Sequence, residues 1–517
     1  MCSVTLSGFD LARHIAPGEL LTSSTLIGRC TSAGLDPVHA RQLLRRNSAR
    51  NGLWRSEKLA LQNNGRLFSH TSARGSPGFL AQLLLILARE RPGLHRLLQT
   101  LLLDEVVLRP YAQMLLASPL AEKKARYPSY ETEIAGIEET LIGCVEKKDT
   151  VGERLVLKKL GGTTSSSAAG LNALAAFQAE ISITGILIEH FRRQNFISWN
   201  SLVGNDPPQG LITFNNYLFF AATFSWISPL LRWDSAAQKS KPTPVVFHTC
   251  FGSCRVWDVE GFAARIERAG ANKTSRLRVL GILAAPVFER NAWDRAKKEG
   301  LVAINLRRLF GDAAFEAIVH VQELLKNVVG DAARATNDEY ATLSTMLGSL
   351  KTNPFIADLK SLAFEAFSGF LVKYAGWEEV QLNLKVPFKL PEGTTEREVD
   401  VSGQRNSWDD VCIIECKAEG GNKPLDGEYV RKFFTQTVPA FLAAKCAVRN
   451  PSHCQAEIWT TGVVTDTARN ALKNISLPKC VIAALKGRDQ LIEQLPKPLY
   501  STKRLIETIA ALGDPAD

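Results

Sequence analysis

The sequence has no CxxC pair and no His/Cys cluster, although ten cysteines are scattered along its 517 residues. That spacing indicates neither a zinc site nor a disulfide framework. Cys412 and Cys416 stand inside an apolar run and read as small core side chains. A P-loop of the GxxxxGK[ST] form is also missing, so any ATP-driven translocation requires a partner protein that supplies the ATPase or helicase. The opening MCSVTLSGFDLARH lacks the basic-then-apolar order of a signal peptide. With reduced thiols, this predicts a cytoplasmic protein without membrane contact. One run, 211–231, is long enough to cross a bilayer. Its paired Asn215 and Asn216, its aromatic and β-branched content and the lack of a basic flank make it instead buried strand and helix in a soluble core.

Acidic residues are outnumbered, 52 against 62 Lys and Arg, for a formal net charge of +10. The excess is concentrated in residues 1–75, where ten basic residues face four acidic ones. Such a balance is compatible with a polyanionic partner. Ordinary apolar and charged fractions, 45% and 22%, exclude wholesale disorder. The length exceeds what one core accommodates and implies roughly three or four domains.

Residues 1–75 have the rhythm of a winged helix-turn-helix. A short helix at Phe9–His14 and a second over 21–34 precede Asp36-Pro37, a cap and first-turn proline for the next helix. In that helix Val38, Ala40, Leu43 and Leu44 are expected inside, with Arg41, Arg45, Arg46 and Arg50 outside as the DNA-contacting set. Two short strands follow around Asn63-Asn64-Gly65, a hairpin signal. A basic helix followed by a hairpin is a DNA-reading layout. Residues 76–160 read as a helical unit, with a second winged helix as the alternative, and GGTTSSSAAG (161–170) as a linker.

Beyond the linker the chain repeats itself. Both 171–326 and 355–497 run helix, apolar strand, helix, then strand–helix–strand, an alternation that predicts α/β domains with mixed sheets. In the second copy the strand VCIIECKAEGG (411–421) ends abruptly in Glu415, Cys416 and Lys417. Residues i and i+2 of a strand share a face, so Glu415 and Lys417 share one pocket or one solvated surface. Asp400, in the alternating EREVDVSGQ (396–404), lies one turn upstream, and a hairpin would bring it beside them. Asp400, Glu415 and the Cys416 carbonyl are hard oxygen donors suited to Mg²⁺, and Lys417 can orient water or stabilise a pentacovalent oxyanion. The bland alternative is a solvated strand-end ion pair worth little. Glu398 and Glu419 could reach the same area, with surface charges as the blander reading.

This arrangement resembles the PD-(D/E)XK nuclease superfamily, restriction-endonuclease-like in fold. The resemblance covers about 140 residues (355–495). Asp400 matches its first metal carboxylate, Glu415 and Lys417 its ExK pair, and Glu365 the glutamate that many members carry on the preceding helix. Gln436 is similar to the helix glutamine of RecB-like members, while Val399 departs from the proline often found before the aspartate. The resemblance implies an Mg²⁺-dependent DNA endonuclease, with Mn²⁺ able to substitute, of the kind found in restriction or anti-phage defence. The alternatives are a repair or recombination nuclease and a DNA-binding regulator with a vestigial nuclease fold. Cutting both strands needs two active sites, which would require a homodimer or paired binding. In the first copy His248-Thr249-Cys250 stands where ECK would, and only Asp206 and Asp234 are near enough in sequence to replace Asp400. That copy is therefore expected to be degenerate, since one His/Cys pair offers too few ligands for zinc and poor ones for Mg²⁺.

Overall fold

A computed structural model describes residues 10–46, 52–104, 106–120, 127–141, 145–149, 153–157, 167–198, 211–227, 230–234, 238–271, 278–329, 337–390, 393–446 and 451–512. The chain is mixed α/β and divides into two compact units. The first comprises Met1–Ala173, Asn215–Leu218 and Trp257–Ala271; the second comprises Leu174–Phe214, Phe219–Val256 and Asn272–Asp517.

The first unit opens with a short 3-10 helix (Leu11–His14), followed by β1 (Leu20–Thr22), α1 (Ser23–Ser32), α2 (Pro37–Arg46), β2 (Leu53–Arg55) and β3 (Leu67–His70). The Asp36 carboxylate accepts the Val38 and His39 amides at 2.9 and 3.1 Å, which starts α2 where the proline already fixes the backbone. Ala40, Leu43 and Leu44 are buried and Arg41 and Arg45 exposed. Val38 departs from the expected pattern at 55% exposure. It lies three and seven residues before the two arginines and so shares their face. Asn63 and Asn64 take φ of 53° and 58° in the turn before β3, a region Asn tolerates. The sheet order is β1-β3-β2, all antiparallel.

After α3 (Pro77–Glu90) the same order recurs: α4 (Pro92–Asp104), β4 (Val106–Leu108), α5 (Arg109–Leu116), α6 (Tyr130–Thr140), β5 (Val145–Asp149) and β6 (Glu153–Leu157). Its sheet order, β4-β6-β5, repeats the first. One core joins the two halves, with Leu20, Trp54 and Leu67 packed in the same cluster as Phe79, Leu97 and Ile134.

The second copy-pair follows. α7 (Ser167–Arg193) leads to β7 (Ile212–Phe214), β8 (Tyr217–Phe219) and β9 (Ala221–Ser225). The apolar run 211–231 is thus short strands rather than strand and helix, because its β-branched and aromatic content and the turn at Asn215-Asn216 favour hairpins. No helix among the described residues is long and apolar enough to cross a membrane. Next come β10 (Arg232–Asp234), β11 (Lys239–Lys241), β12 (Thr243–Thr249), β13 (Ser253–Cys254), α8 (Val256–Gly270), β14 (Leu280–Ala285), β15 (Val287–Phe288), α9 (Arg290–Lys298) and β16 (Val302–Asn305). Helices α10 (Leu306–Phe310), α11 (Asp312–Val329) and α12 (Asn337–Ser349) connect to the second copy.

That copy contains α13 (Ile356–Tyr374), β17 (Glu378–Leu390), β18 (Gly393–Arg405), β19 (Asp410–Lys417), α14 (Gly427–Lys432), α15 (Val438–Lys445), β20 (His453–Thr460), α16 (Asp466–Lys473), β21 (Val481–Lys486) and α17 (Arg488–Glu493). Its sheet runs β17-β18-β19-β20-β21, antiparallel at the first two junctions and parallel at the last two. The earlier sheet runs β9-β12-β14-β16 with one antiparallel junction and then two parallel ones, which is the same order less one edge strand. Past residue 497 the structure adds α18 (Lys503–Ala511), whose Leu505, Ile506 and Ile509 are fully buried in a core shared with Leu343 and Leu347 of α12. That core is continuous from Ile183 and Leu187 of α7 through Phe315 of α11 to Phe364, Phe367 and Phe370 of α13.

Candidate active site

The β18–β19 ladder runs from Arg405↔Asp410 to Val401↔Ile414. The next residues along, Asp400 and Glu415, face each other where the two strands part. β17 loosens at the same level: Asn383 has a φ of 52°, and pairing passes from Leu382↔Val401 to Leu384↔Val399. Parting strands leave an amide without a ladder acceptor, and a buried amide needs one. Asp400 supplies it: its Oδ2 accepts the Cys416 N–H at 2.6 Å.

Glu415, 8% exposed, is met by two donors on the same oxygen. The Tyr429 hydroxyl donates to Oε1, and the Lys417 ammonium lies 3.4 Å from it. The same ammonium sits 4.2 Å from the centre of the Tyr429 ring. Glu365 on α13 and Glu398, two residues before Asp400 on β18, complete the group electrostatically. Burial, then the charges of Glu398 and Glu415, push Glu365 up to about 8, against the pull of Lys417 and a hydrogen bond with Asn383. Burial and the neighbouring Glu415 and Glu365 also raise Asp400. Burial raises Glu415 in spite of Lys417 and Tyr429. For Lys417 burial works downward, but the Glu415 and Asp400 carboxylates outweigh it and hold the ammonium above its ordinary range.

Several desolvated acids sharing one lysine resist ionising together. A hard cation would relieve the repulsion. Asp400, Glu415 and the Cys416 carbonyl are oxygen donors of the kind Mg²⁺ takes, and so fit such an ion. Gln436 belongs elsewhere: its side-chain oxygen accepts from Arg397, whose guanidinium lies 5.3 Å from the Phe388 ring centre. Glu419 pairs with Lys423 at 2.8 Å. Two members of the group escape a reading of the sequence, since Tyr429 and Asn383 carry no signal. Glu398 is an exposed charge that also reaches the group electrostatically.

A cleft of about 440 Å³ reaches the cluster, walled by α7 and β9 on one side and by α13 with the β17–β18 hairpin on the other. Glu365 and Glu398 line it.

The first copy parts its strands at the corresponding point. The last β9–β12 pair is Ala221↔Phe247, so Phe220 and His248 occupy the positions of Asp400 and Glu415, and Cys250 that of Lys417. The two rings lie 5.3 Å apart. Glu180, the α7 counterpart of Glu365, is buried and accepts the Phe251 amide at 2.9 Å. Phe220 thus stands where Asp206 or Asp234 was sought; Asp206 lies outside the described residues, as does the Asp234 side chain.

No known family matches the sequence, and no curated protein does. Among solved structures the chain aligns with "Crystal structure of protein VC1899 from Vibrio cholerae", at 18% identity over 39% of this chain and 53% of that one. The chain therefore spans about half the length of that protein, and the TM-score of 0.20 carries no argument about fold or function.

In the N-terminal unit a pocket of about 380 Å³ between α2 and the 62–66 turn is lined by Arg41, Arg45, Arg55 and Arg66. Arg55 is engaged with Glu57 at 2.7 Å and with the carbonyls of Leu44 and Arg45. Arg66 donates to the Glu57 carbonyl. Arg41 and Arg45 are exposed. The Arg46 side chain and Arg50 lie outside the described residues.

Proposed function

We propose that the chain is a metal-dependent nuclease of the PD-(D/E)XK kind that hydrolyses phosphodiester bonds in DNA. The observation that carries this reading is the meeting of Asp400, Glu415 and Lys417 where β18 and β19 part. The order of the second copy supports it: helix, antiparallel hairpin and strand, helix, then two parallel strands. Asp400, Glu415 and the Cys416 carbonyl would hold Mg²⁺ or Mn²⁺. Bound there, the ion neutralises phosphate charge and acidifies a water molecule. Lys417, kept charged by its carboxylate neighbours, orients the attacking oxygen and stabilises the phosphorane charge, and does not act as a base. The first copy, with Phe220 and His248 at the corresponding fork, serves as scaffold. The β1-β3-β2 and β4-β6-β5 units are read as winged helices, the first presenting Arg41 and Arg45 to the DNA backbone.

Supercoiled plasmid with Mg²⁺ or EDTA tests this directly. Wild type should nick or linearise it only with the metal, and Lys417→Ala and Asp400→Ala should each lower the rate by at least about 100-fold. Cleavage that survives both substitutions would remove the site.

A further inference from the structure

One tyrosine touches both members of the Glu415/Lys417 pair. Tyr429 stands in α14, which Asp426 caps by accepting the Glu428 amide at 2.9 Å, and its neighbours Val430, Phe433 and Phe434 are anchored in the core. The ring is therefore held by the fold and not by the pair it contacts. Its hydroxyl and the Lys417 ammonium converge on Oε1 of Glu415, leaving Oε2 for a ligand. Its face carries the ammonium at 4.2 Å, within the range of a cation–π contact.

We propose that Tyr429 is the positioning residue of this centre, its hydroxyl turning Oε2 of Glu415 to the cation and its ring seating the Lys417 ammonium. The assignment rests on the metal-nuclease reading and adds a separable division of labour within one side chain. Partners that orient a metal ligand typically change metal affinity by 10–100-fold when removed. Tyr429→Phe keeps the ring and removes the hydroxyl; Tyr429→Leu removes both.

The test is Mn²⁺ binding to the metal-free full-length protein by electron paramagnetic resonance, followed by plasmid cleavage at saturating Mn²⁺. Tyr429→Phe should bind Mn²⁺ about tenfold more weakly. Tyr429→Leu should show the same weakening and a further fall in kcat of about tenfold, a fall that disappears when Lys417→Ala is already present. Wild-type Mn²⁺ affinity in Tyr429→Phe, with binding abolished in Glu415→Gln, overturns the positioning role and leaves the metal reading intact. Wild-type affinity in Glu415→Gln overturns the metal reading and this assignment with it. Tyr429→Phe changes one oxygen only, so the affinity arm stands even if Tyr429→Leu fails to fold.

Discussion

Replacing Glu365 with Gln should make the protein more stable in alkaline solution and leave it nearly unchanged in acid. In the unfolded chain this carboxyl titrates near 4.5, whereas in the fold it is pushed up to about 8. Between those values the native state binds a proton that the unfolded state has released, so stability falls as pH rises. The contribution is whole below pH 4.5 and gone above about 8. At 1.36 kcal/mol per pH unit the full span corresponds to roughly 5 kcal/mol. Glu365 borders the cleft and is only partly buried, so water reduces the figure, and about 2–4 kcal/mol is expected. Gln cannot ionise and lacks that slope; it also relieves Asp400, which Glu365 raises. The assay is urea unfolding of wild type and Glu365→Gln in EDTA at pH 5 and pH 9. The gap between the two proteins should open by about 2–4 kcal/mol from the lower to the higher pH. Mg²⁺ at pH 9 should raise both proteins, since Asp400, Glu415 and the Cys416 carbonyl are present in each. A gap that stays constant across this range would refute the electrostatic account of the cluster.

Two other outcomes follow from geometry. The double substitution Arg41→Ala with Arg45→Ala should weaken duplex binding at all sequences and lower the slope of log K against log salt by about 1 per lost phosphate contact; an unchanged slope in a fluorescence-anisotropy titration would assign α2 to protein contacts. Gly462→Ala would place a Cβ 2.4 Å from the Lys423 carbonyl oxygen, in the segment where Val463 accepts the Leu425 amide. It should cost about 1–3 kcal/mol in urea unfolding, and a neutral result would mean that the loop after β19 yields freely.

The recurring order of elements could be read in the sequence because it is written in periodicity: apolar strands and amphipathic helices follow one another in the same order in both stretches. Glu415 and Lys417 could be read because charged residues at the end of an apolar strand demand an explanation, Asp400 because a turn would bring it beside them, and Glu365 only through the resemblance to a known superfamily. The fork itself could not. It depends on where a ladder stops and on Asn383 entering a left-handed conformation, neither of which composition records. Phe220 was invisible as the counterpart of Asp400 because a phenylalanine beside an apolar strand looks like any other core residue. Tyr429 was missed because a lone tyrosine early in a helix carries no pattern. Gln436 had the right kind of position but is committed to Arg397, a partner that only the folding of β18 against the following helix supplies. Val38 shows the limit of helical periodicity at a first turn, where an apolar side chain can fall on the polar face.

The continuous apolar seam through α7, α11 and α13 bears on how the carboxylate-bearing half could be handled or inherited. Cutting the chain near residue 354 would strip Phe364, Phe367 and Phe370 of much of their cover and separate Phe355 from Phe310, whose rings meet at 4.6 Å. The half with the acids is therefore no portable cassette. The copy that lacks them supplies the wall on which the other is built, so a substitution in that wall would be felt by the half that carries the acids.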